Sequence, residues 1–259
     1  MKKYLLLLGA LCGSTFGFAQ GDYTPSTTNR FEVGLKAGIN NTWIVIDNEL
    51  TNNEHHNHQF MIKPLGGASI GLKFTDNASL MLEGFYSRQG AKFELTDDND
   101  GGKKIGEKNI KLDYLVVPLL IKYTGVGETR FAFQIGGQMA FLLSGEEENT
   151  FDQSGTIENS YSGGPRAYTQ GTYLLATTDA DKETPETGKF NKKDFNVVAD
   201  IGLEHDLSES SYFSLGLRLA YGFKDIRAEE VQASPYDLDK FTLRYNVTGG
   251  LHAGIHWFL

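Results

Sequence analysis

The chain has 259 residues, with 24 Lys and Arg against 33 Asp and Glu, a net charge of −9 and a mean hydropathy of −0.33. No run of about 18 apolar residues occurs, which excludes transmembrane helices but not a barrel, because alternation halves the hydrophobicity of each span. Such an acidic chain is a poor partner for nucleic acid.

The N-terminus has the form of a secretory signal. Lys2 and Lys3 supply the positive end, Tyr4 to Leu11 the apolar core, and Gly17-Phe18-Ala19 a small-x-small cleavage site before Gln20. Residues 1–19 are therefore expected to be removed. The 24 basic residues less two leave 22 against 33 acidic, a net charge of −11. Leu11 before Cys12 does not suit a lipid-attachment site. Cys12 is the chain's one cysteine, so the mature protein is expected to lack disulfides and thiolate metal sites.

Residues 20–29 form a short polar leader, and residues 30–259 are read as one barrel domain. The first strand runs from Arg30 to about Trp43, with Phe31, Val33, Leu35, Ala37 and Ile39 on one face and Glu32, Gly34, Lys36 and Gly38 on the other. A polar loop spans Asp47 to Gln59. The second strand covers about Met61 to Phe74, and the tight Thr75–Ala78 connection leads to the third, Ser79 to about Glu94. A charged loop is expected over Leu95–Asn109. The fourth strand, Ile110 to Thr124, loses its alternation, since Tyr114 to Ile121 is apolar throughout. Pro118 removes a ladder donor there, which a local bulge would accommodate.

The fifth strand, Arg130 to Leu143, is followed by a long polar stretch, Ser144–Lys193, in which a hairpin about Ser162-Gly163-Gly164-Pro165 is expected. The sixth strand, Asp194 to His205, and the seventh, with Phe213 to Phe223 on its apolar face, flank a tight Asp206–Ser210 turn. After a loop from Asp225 to Leu238, the last strand alternates from Phe241 to Leu259. Trp257 and Tyr245 are spaced on it to reach two interfacial girdles. Leu259 holds the outward parity where barrels of this kind finish on an aromatic, while Phe258 points inward.

Connections of about five residues alternate with connections of roughly 13 to 50. Short turns on one side and long loops on the other define an all-β, eight-stranded, antiparallel up-and-down transmembrane barrel with long extracellular loops and both termini periplasmic.

Tyr114-Leu115-Val116-Val117-Pro118-Leu119-Leu120-Ile121-Lys122-Tyr123 resembles the Y-L-x-x-P-L-L-x-K-Y signature of the PorT-like outer-membrane barrel family of Bacteroidetes-type bacteria. Val33-Gly34-Leu35-Lys36-Ala37-Gly38-Ile39-Asn40 is similar to that family's first strand. So is the arrangement of Asp200-Ile201-Gly202-Leu203-Glu204 before Leu217-Arg218-Leu219-Ala220-Tyr221-Gly222. The resemblance implies a bacterial outer-membrane location and is specific for fold rather than role.

On the polar parities stand Lys36, Lys73, Glu83, Lys122, Asp200, Glu204, Arg218 and Arg244. An eight-stranded barrel has room for side chains but no wide pore, so these charges are expected to pair as a structural network rather than line a conduit. Folding about the short turns predicts the ion pairs Asp200–Arg218 and Lys73–Glu83. Three histidines, His55, His56 and His58, offer nitrogen ligands for zinc or copper, although a solvated loop tip is the simpler reading. Asp98, Asp100 and Glu107 match part of a calcium loop, but Thr96 stands where its first Asp belongs. An acidic turn is the simpler reading there.

No G-x-S-x-G, H-E-x-x-H or phosphate-loop motif occurs, and no cofactor is expected. The reading is a non-enzymatic, monomeric barrel in outer-membrane lipid. Its loops 144–193 and 47–59 are expected to engage an external or envelope protein, with Tyr161, Tyr168 and Tyr173 as contacts or as pins to the rim. The alternatives are an accessory part of a PorT-like (type IX) secretion machine, and a lipid-modifying enzyme.

Overall fold

The computed structural model describes residues 30–46, 56–97, 100–159, 164–184, 187–228 and 244–259. The expected signal peptide and leader, residues 1–29, lie outside them, as do Phe241 and Leu243 of the last strand. Twelve strands are described: β1 Phe31–Ile46, β2 His56–Gln59, β3 Lys63–Lys73, β4 Ala78–Asp97, β5 Lys103–Thr124 and β6 Thr129–Phe151 come first. β7 Gly155–Asn159, β8 Gly164–Tyr168, β9 Gly171–Thr177, β10 Lys193–Ser208, β11 Ser211–Gly222 and β12 Arg244–Phe258 follow.

Eight of these close on themselves in the order β1-β3-β4-β5-β6-β10-β11-β12, each pair antiparallel. The ring seals where β1 meets β12, with Lys36 opposite Gly254. The connections at 74–77, 125–128 and 209–210 are short and share one end with Phe31 and Leu259, whose backbones meet at 2.9 Å. A closed ladder leaves no open sheet edge facing lipid, which is the condition for a sheet to cross a bilayer.

The exterior shows how far the membrane reaches. Phe31, Phe74, Tyr123, Phe131, Phe213 and Trp257 stand exposed near the short-turn end; Trp43, Tyr86, Phe195, Tyr221 and Phe223 stand exposed toward the other. Between them lie outward aliphatics such as Leu35, Ile70, Leu119, Ile135, Ile201, Leu217 and Leu251. Aromatics at both margins of an apolar band are the pattern of a protein seated in a bilayer. β3 and β11, with 11 and 12 residues, are about long enough to cross.

β4, β5 and β6 run to 20, 22 and 23 residues, about twice what a crossing needs. The expected loop at Leu95–Asn109 is therefore mostly ladder, paired as far as Asp97 with Lys103. The long stretch after Leu143 begins as strand too: β6 continues to Phe151 and pairs with β9, and β7 and β8 form the hairpin expected about Gly164. The physical reason is an inversion of polarity. Up β4, the inward residues change from Ser79 and Glu83 to Ala91, Phe93 and Leu95, while the outward ones change from Leu82 and Tyr86 to Arg88, Lys92 and Glu94. Lipid-facing strand needs apolar residues outside; the same strand in water needs them inside.

β6 makes this change with a bulge, since Asp113 pairs Ser144 but Tyr114 pairs Leu142. One extra residue switches which parity faces inward. The apolar run Tyr114–Ile121 spans the transition: Leu115, Leu119 and Ile121 face lipid, whereas Tyr114, Val116 and Leu120 are buried inside. Pro118 is accommodated without the expected bulge. Leu82 pairs Leu119 and Phe85 pairs Val116 in one unbroken register, and only the two positions between them lose their partners. A two-residue gap in the ladder, at Glu83 and Gly84 facing Pro118 and Val117, absorbs the missing N–H.

Candidate functional site

The lumen carries two ionic clusters, each joining neighbouring strands to strands across the ring. In the first, Glu83 on β4 accepts from Lys36 Nζ on β1 at 2.5 Å and from Arg218 Nη1 on β11 at 2.6 Å. Arg218 Nε donates to Asp200 Oδ2 at 2.8 Å, and His252 Nε2 lies 2.7 Å from the same oxygen. Asp200 and Arg218 are direct cross-strand partners rather than diagonal ones. Gly216 makes this possible, because a Cβ there would sit 2.6 Å from His252 Nε2 and 2.9 Å from Asp200 Oδ1.

The second cluster lies toward the short turns. Lys122 Nζ donates to Glu32 Oε1 at 2.7 Å, to the Tyr212 hydroxyl at 2.8 Å and to Glu204 Oε1 at 3.3 Å. Arg130 bridges Glu204 at 3.1 Å and Asp206 at 2.7 Å, and Tyr212 donates to Glu32 at 3.1 Å. His256 stacks on Tyr212 at 4.4 Å with its Nε2 3.0 Å from Ser214 Oγ. That Ser–His pair is buried inside the barrel, near the short turn at 209–210 and away from the outer rim.

Of the expected network, Lys36, Glu83, Lys122, Asp200, Glu204 and Arg218 thus meet inside. Lys73 does not pair with Glu83. The turn sets Lys73 opposite Ser79 and places Glu83 opposite Ser69, four residues further up. Lys73 Nζ instead lies 3.6 Å over the Phe258 ring. The side chain of Arg244 lies outside the described residues. Glu32, Arg130, Asp206, Tyr212 and His252 complete the clusters. The signal for Glu32 was available, because it shares the parity of Lys36.

Above these charges the lumen changes character. Ile44, Phe85, Ala91, Phe93, Ile110, Leu112, Tyr114, Val116 and Ala140 form an apolar plug with Ala176, Phe190 and Ile226. Phe190 and Ile226 arrive from outside the ring: Asn191 Nδ2 donates to the carbonyls of Asp225 and Arg227 at 2.8 and 2.7 Å, tying the two segments over the mouth. A third set of buried charges supports this lid. Arg227 reaches Glu147 at 2.9 Å, and Lys108 lies 3.4 Å from the same carboxylate. Two voids among the described lumen side chains are small, about 10 and 40 Å³, room for one or a few waters.

The extension has its own contacts. Leu95, Ile105, Phe151 and Tyr168 bury one another with Tyr173 packed alongside, and the Phe151 and Tyr168 rings stack at 4.9 Å. Tyr168 is thereby a pin within the extension; Tyr161 lies outside the described residues. On the outer face Lys111 reaches Glu146 at 3.1 Å and Glu148 at 3.4 Å, and Lys182 reaches Glu146 at 2.7 Å. The hydrogen bonds from Lys182 and then Lys111 hold the Glu146 carboxyl below the usual glutamate range. Those from Lys104 and Lys92 do the same for Glu107.

The metal candidates separate in space. His58 Nε2 lies 3.2 Å from the Thr42 carbonyl and its ring meets Phe93 edge-on at 5.4 Å. Glu107 is held by Lys104 at 2.8 Å and Lys92 at 2.7 Å, and Asp100 lies 3.6 Å from Lys103. His55 and Asp98 lie outside the described residues, as does the side chain of His56. Among the described residues no three His, Cys, Asp or Glu side chains converge as metal ligands.

A closed ring of eight antiparallel strands with a lipid-facing apolar belt defines an integral outer-membrane β-barrel. The sequence matches the family described as the outer membrane protein beta-barrel domain over residues 18–227, and the chain belongs to that family. Among solved structures it is similar to Neisserial surface protein A (10% identity, TM-score 0.42, covering 88% of this chain and 97% of that one). It is also similar to OprG of Pseudomonas aeruginosa (10%, 0.43, 89% and 98%) and to Ail, the attachment invasion locus protein of Yersinia pestis (9%, 0.36, 88% and 99%). No curated protein matches the chain.

Proposed function

We propose that this outer-membrane protein is a non-enzymatic, monomeric anchor that holds a folded β-extension outside the cell for contact with an external or envelope protein. The observation that carries this reading is the continuation of the β4–β5 and β5–β6 ladders past the apolar belt, with an apolar core of their own above a filled lumen. A barrel used as a channel needs an open lumen; a barrel used as a pedestal needs rigidity above the membrane. The proposed contact surface is drawn from residues 144–193, which contribute β7, β8 and β9, together with residues 47–59.

The test is affinity purification from native membranes, comparing the intact chain with a variant in which residues 152–170 are replaced by a short Gly-Asn turn. An envelope or external protein recovered with the first and lost with the second supports the proposal. Equal recovery with both variants, or stepwise conductance of the intact protein in planar bilayers, sinks it.

A second reading rests on the Tyr114–Tyr123 segment, whose likeness to the PorT-like signature favours an accessory role in a type IX secretion machine. A stoichiometric complex with other envelope proteins, stable in mild detergent, separates that reading from a lone barrel.

A further inference from the structure

The exposed cations of the extension are nearly all matched. Arg88 faces Asp113 at 3.6 Å, Lys92 and Lys104 share Glu107, Lys111 and Lys182 share Glu146, and Lys189 meets Glu183 at 2.9 Å. Three lysines on the adjoining β10–β11 sector of the rim are different. Lys192, Lys193 and Lys224 are exposed, and among the described residues none has a carboxylate within 4 Å.

Their position is specific. Phe223 N donates to the Phe195 carbonyl at 3.0 Å, so the last residues of the β11 sector and the first of β10 lie side by side. Lys193 has the outward parity of Phe195 and Val197 and stands one step above them; Lys224 follows Phe223 directly. Lys192 accepts the Leu142 N–H through its carbonyl at 2.9 Å, and Lys193 Nζ lies 6.0 Å from the Phe141 ring. Phe195 and Phe223, 50% and 60% exposed, are the top of the lipid-facing belt at this sector.

Among the described residues the nearby acids are already engaged. Asp194 is buried and takes the Phe195 N–H at 2.7 Å, Asn196 Nδ2 at 3.1 Å and the backbone N–H of Lys224; Asp225 Oδ1 takes the Arg227 N–H at 2.9 Å. Three unmatched ammonium groups thus sit where the apolar belt meets water, on the long-loop side that faces outward.

We propose that Lys192, Lys193 and Lys224 dock the phosphate of an outer-leaflet lipid whose acyl chains lie against Phe195 and Phe223. Ammonium groups on flexible stems reach from an apolar margin into the headgroup layer, and anionic headgroups attract such clusters. The outward cations described on the β4–β6 extension have carboxylate partners, so the attraction centres on this sector. This inference stands apart from the proposed protein partner and survives its failure.

The test uses the folded full chain in detergent, exchanged against bisphosphorylated lipid A, and counts retained lipid by native mass spectrometry. The triple variant Lys192→Gln/Lys193→Gln/Lys224→Gln is expected to retain lipid A at least about tenfold less well, at roughly 1 kcal/mol per lysine. Lys104→Gln/Lys111→Gln, on the paired face, should match wild type, and dephosphorylated lipid A should bind wild type no better than the triple variant does. Equal retention by wild type and the triple variant overturns the proposal, as does equal retention of the dephosphorylated lipid. Displacement of lipid A by equimolar inorganic phosphate overturns it in favour of a free-anion site. Heat-dependent electrophoretic mobility reports folding of every variant; if the triple variant misfolds, Lys193→Gln and Lys224→Gln alone must each weaken retention.

Discussion

Glu83 is the residue on which the first lumen cluster turns, because its two oxygens are shared between Lys36 and Arg218. Removing one partner of a buried pair leaves the others desolvated and uncompensated, at about 3–5 kcal/mol. Glu83→Gln, which keeps the shape and removes the charge, is therefore expected to lower the unfolding free energy, read from urea titration in lipid vesicles, by an amount in that range. Lys73→Ala should cost at most about 1 kcal/mol, since only a cation–π contact with Phe258 is lost. Equal losses in the two variants would show that charge count, not pairing, sets stability. The contrast also marks what the residues disclosed. Strand parity placed Lys36, Glu83 and Arg218 inside, because period two is local. It did not reveal that Lys36 meets Glu83 across the intervening β3, since such a contact depends on how the ring closes and not on any single turn.

At the level of elements, the strands of the belt were legible; above it only the hairpin about Gly164 was, and the ladder extensions were not. β11 reads as a strand from Phe213 to Tyr221 because its outward face is uniformly apolar. The strand was legible to about Glu94, but Leu95–Asn109 reads as a charged loop because Lys104 and Glu107 occupy the outer face, while Leu95 and Ile105 turn inward. The alternation never stops; its sign does. Two expectations follow from this geometry. Phe151→Ala removes a fully buried ring from the extension's core and should cost about 3–5 kcal/mol of local stability. Amide exchange should quicken in 95–106 and 147–173, with β11 and β12 unchanged; quickening throughout the ring would mean that extension and barrel unfold together. The second concerns pH. Glu107 and Glu146 titrate below the usual glutamate range in the folded state, so their contribution is present above that range and is lost as pH falls through their lowered values. Both are partly exposed, so the effect is small and should shrink further in high salt. Exchange in the upper β5–β6 ladder should therefore rise on acidification at low salt, and the opposite trend would count against these pairs.

For the whole molecule, the decisive feature is that two closures of different chemistry stand in series. Ion pairs fill the membrane-embedded lumen, and an apolar plug closed by Phe190 and Ile226 lies above them. A hydrophobic constriction blocks ions by excluding water, and it does so whatever charges lie below. Opening either closure alone should therefore leave the barrel silent. Glu83→Gly with Arg218→Gly removes one acid and one base, keeping the lumen neutral and Asp200 bonded to His252, so it is milder than either single change. In planar bilayers this pair is expected to show no conductance steps, because the plug remains. Phe190→Ser with Ile226→Ser is likewise expected to stay silent, because Lys36, Lys122 and their carboxylates still occupy the lumen. Only the fourfold variant should produce steps, with heat-dependent mobility confirming that it is folded. Steps from either double variant would place the whole barrier in that one layer, and the barrel would then be a gated channel and not a sealed pedestal.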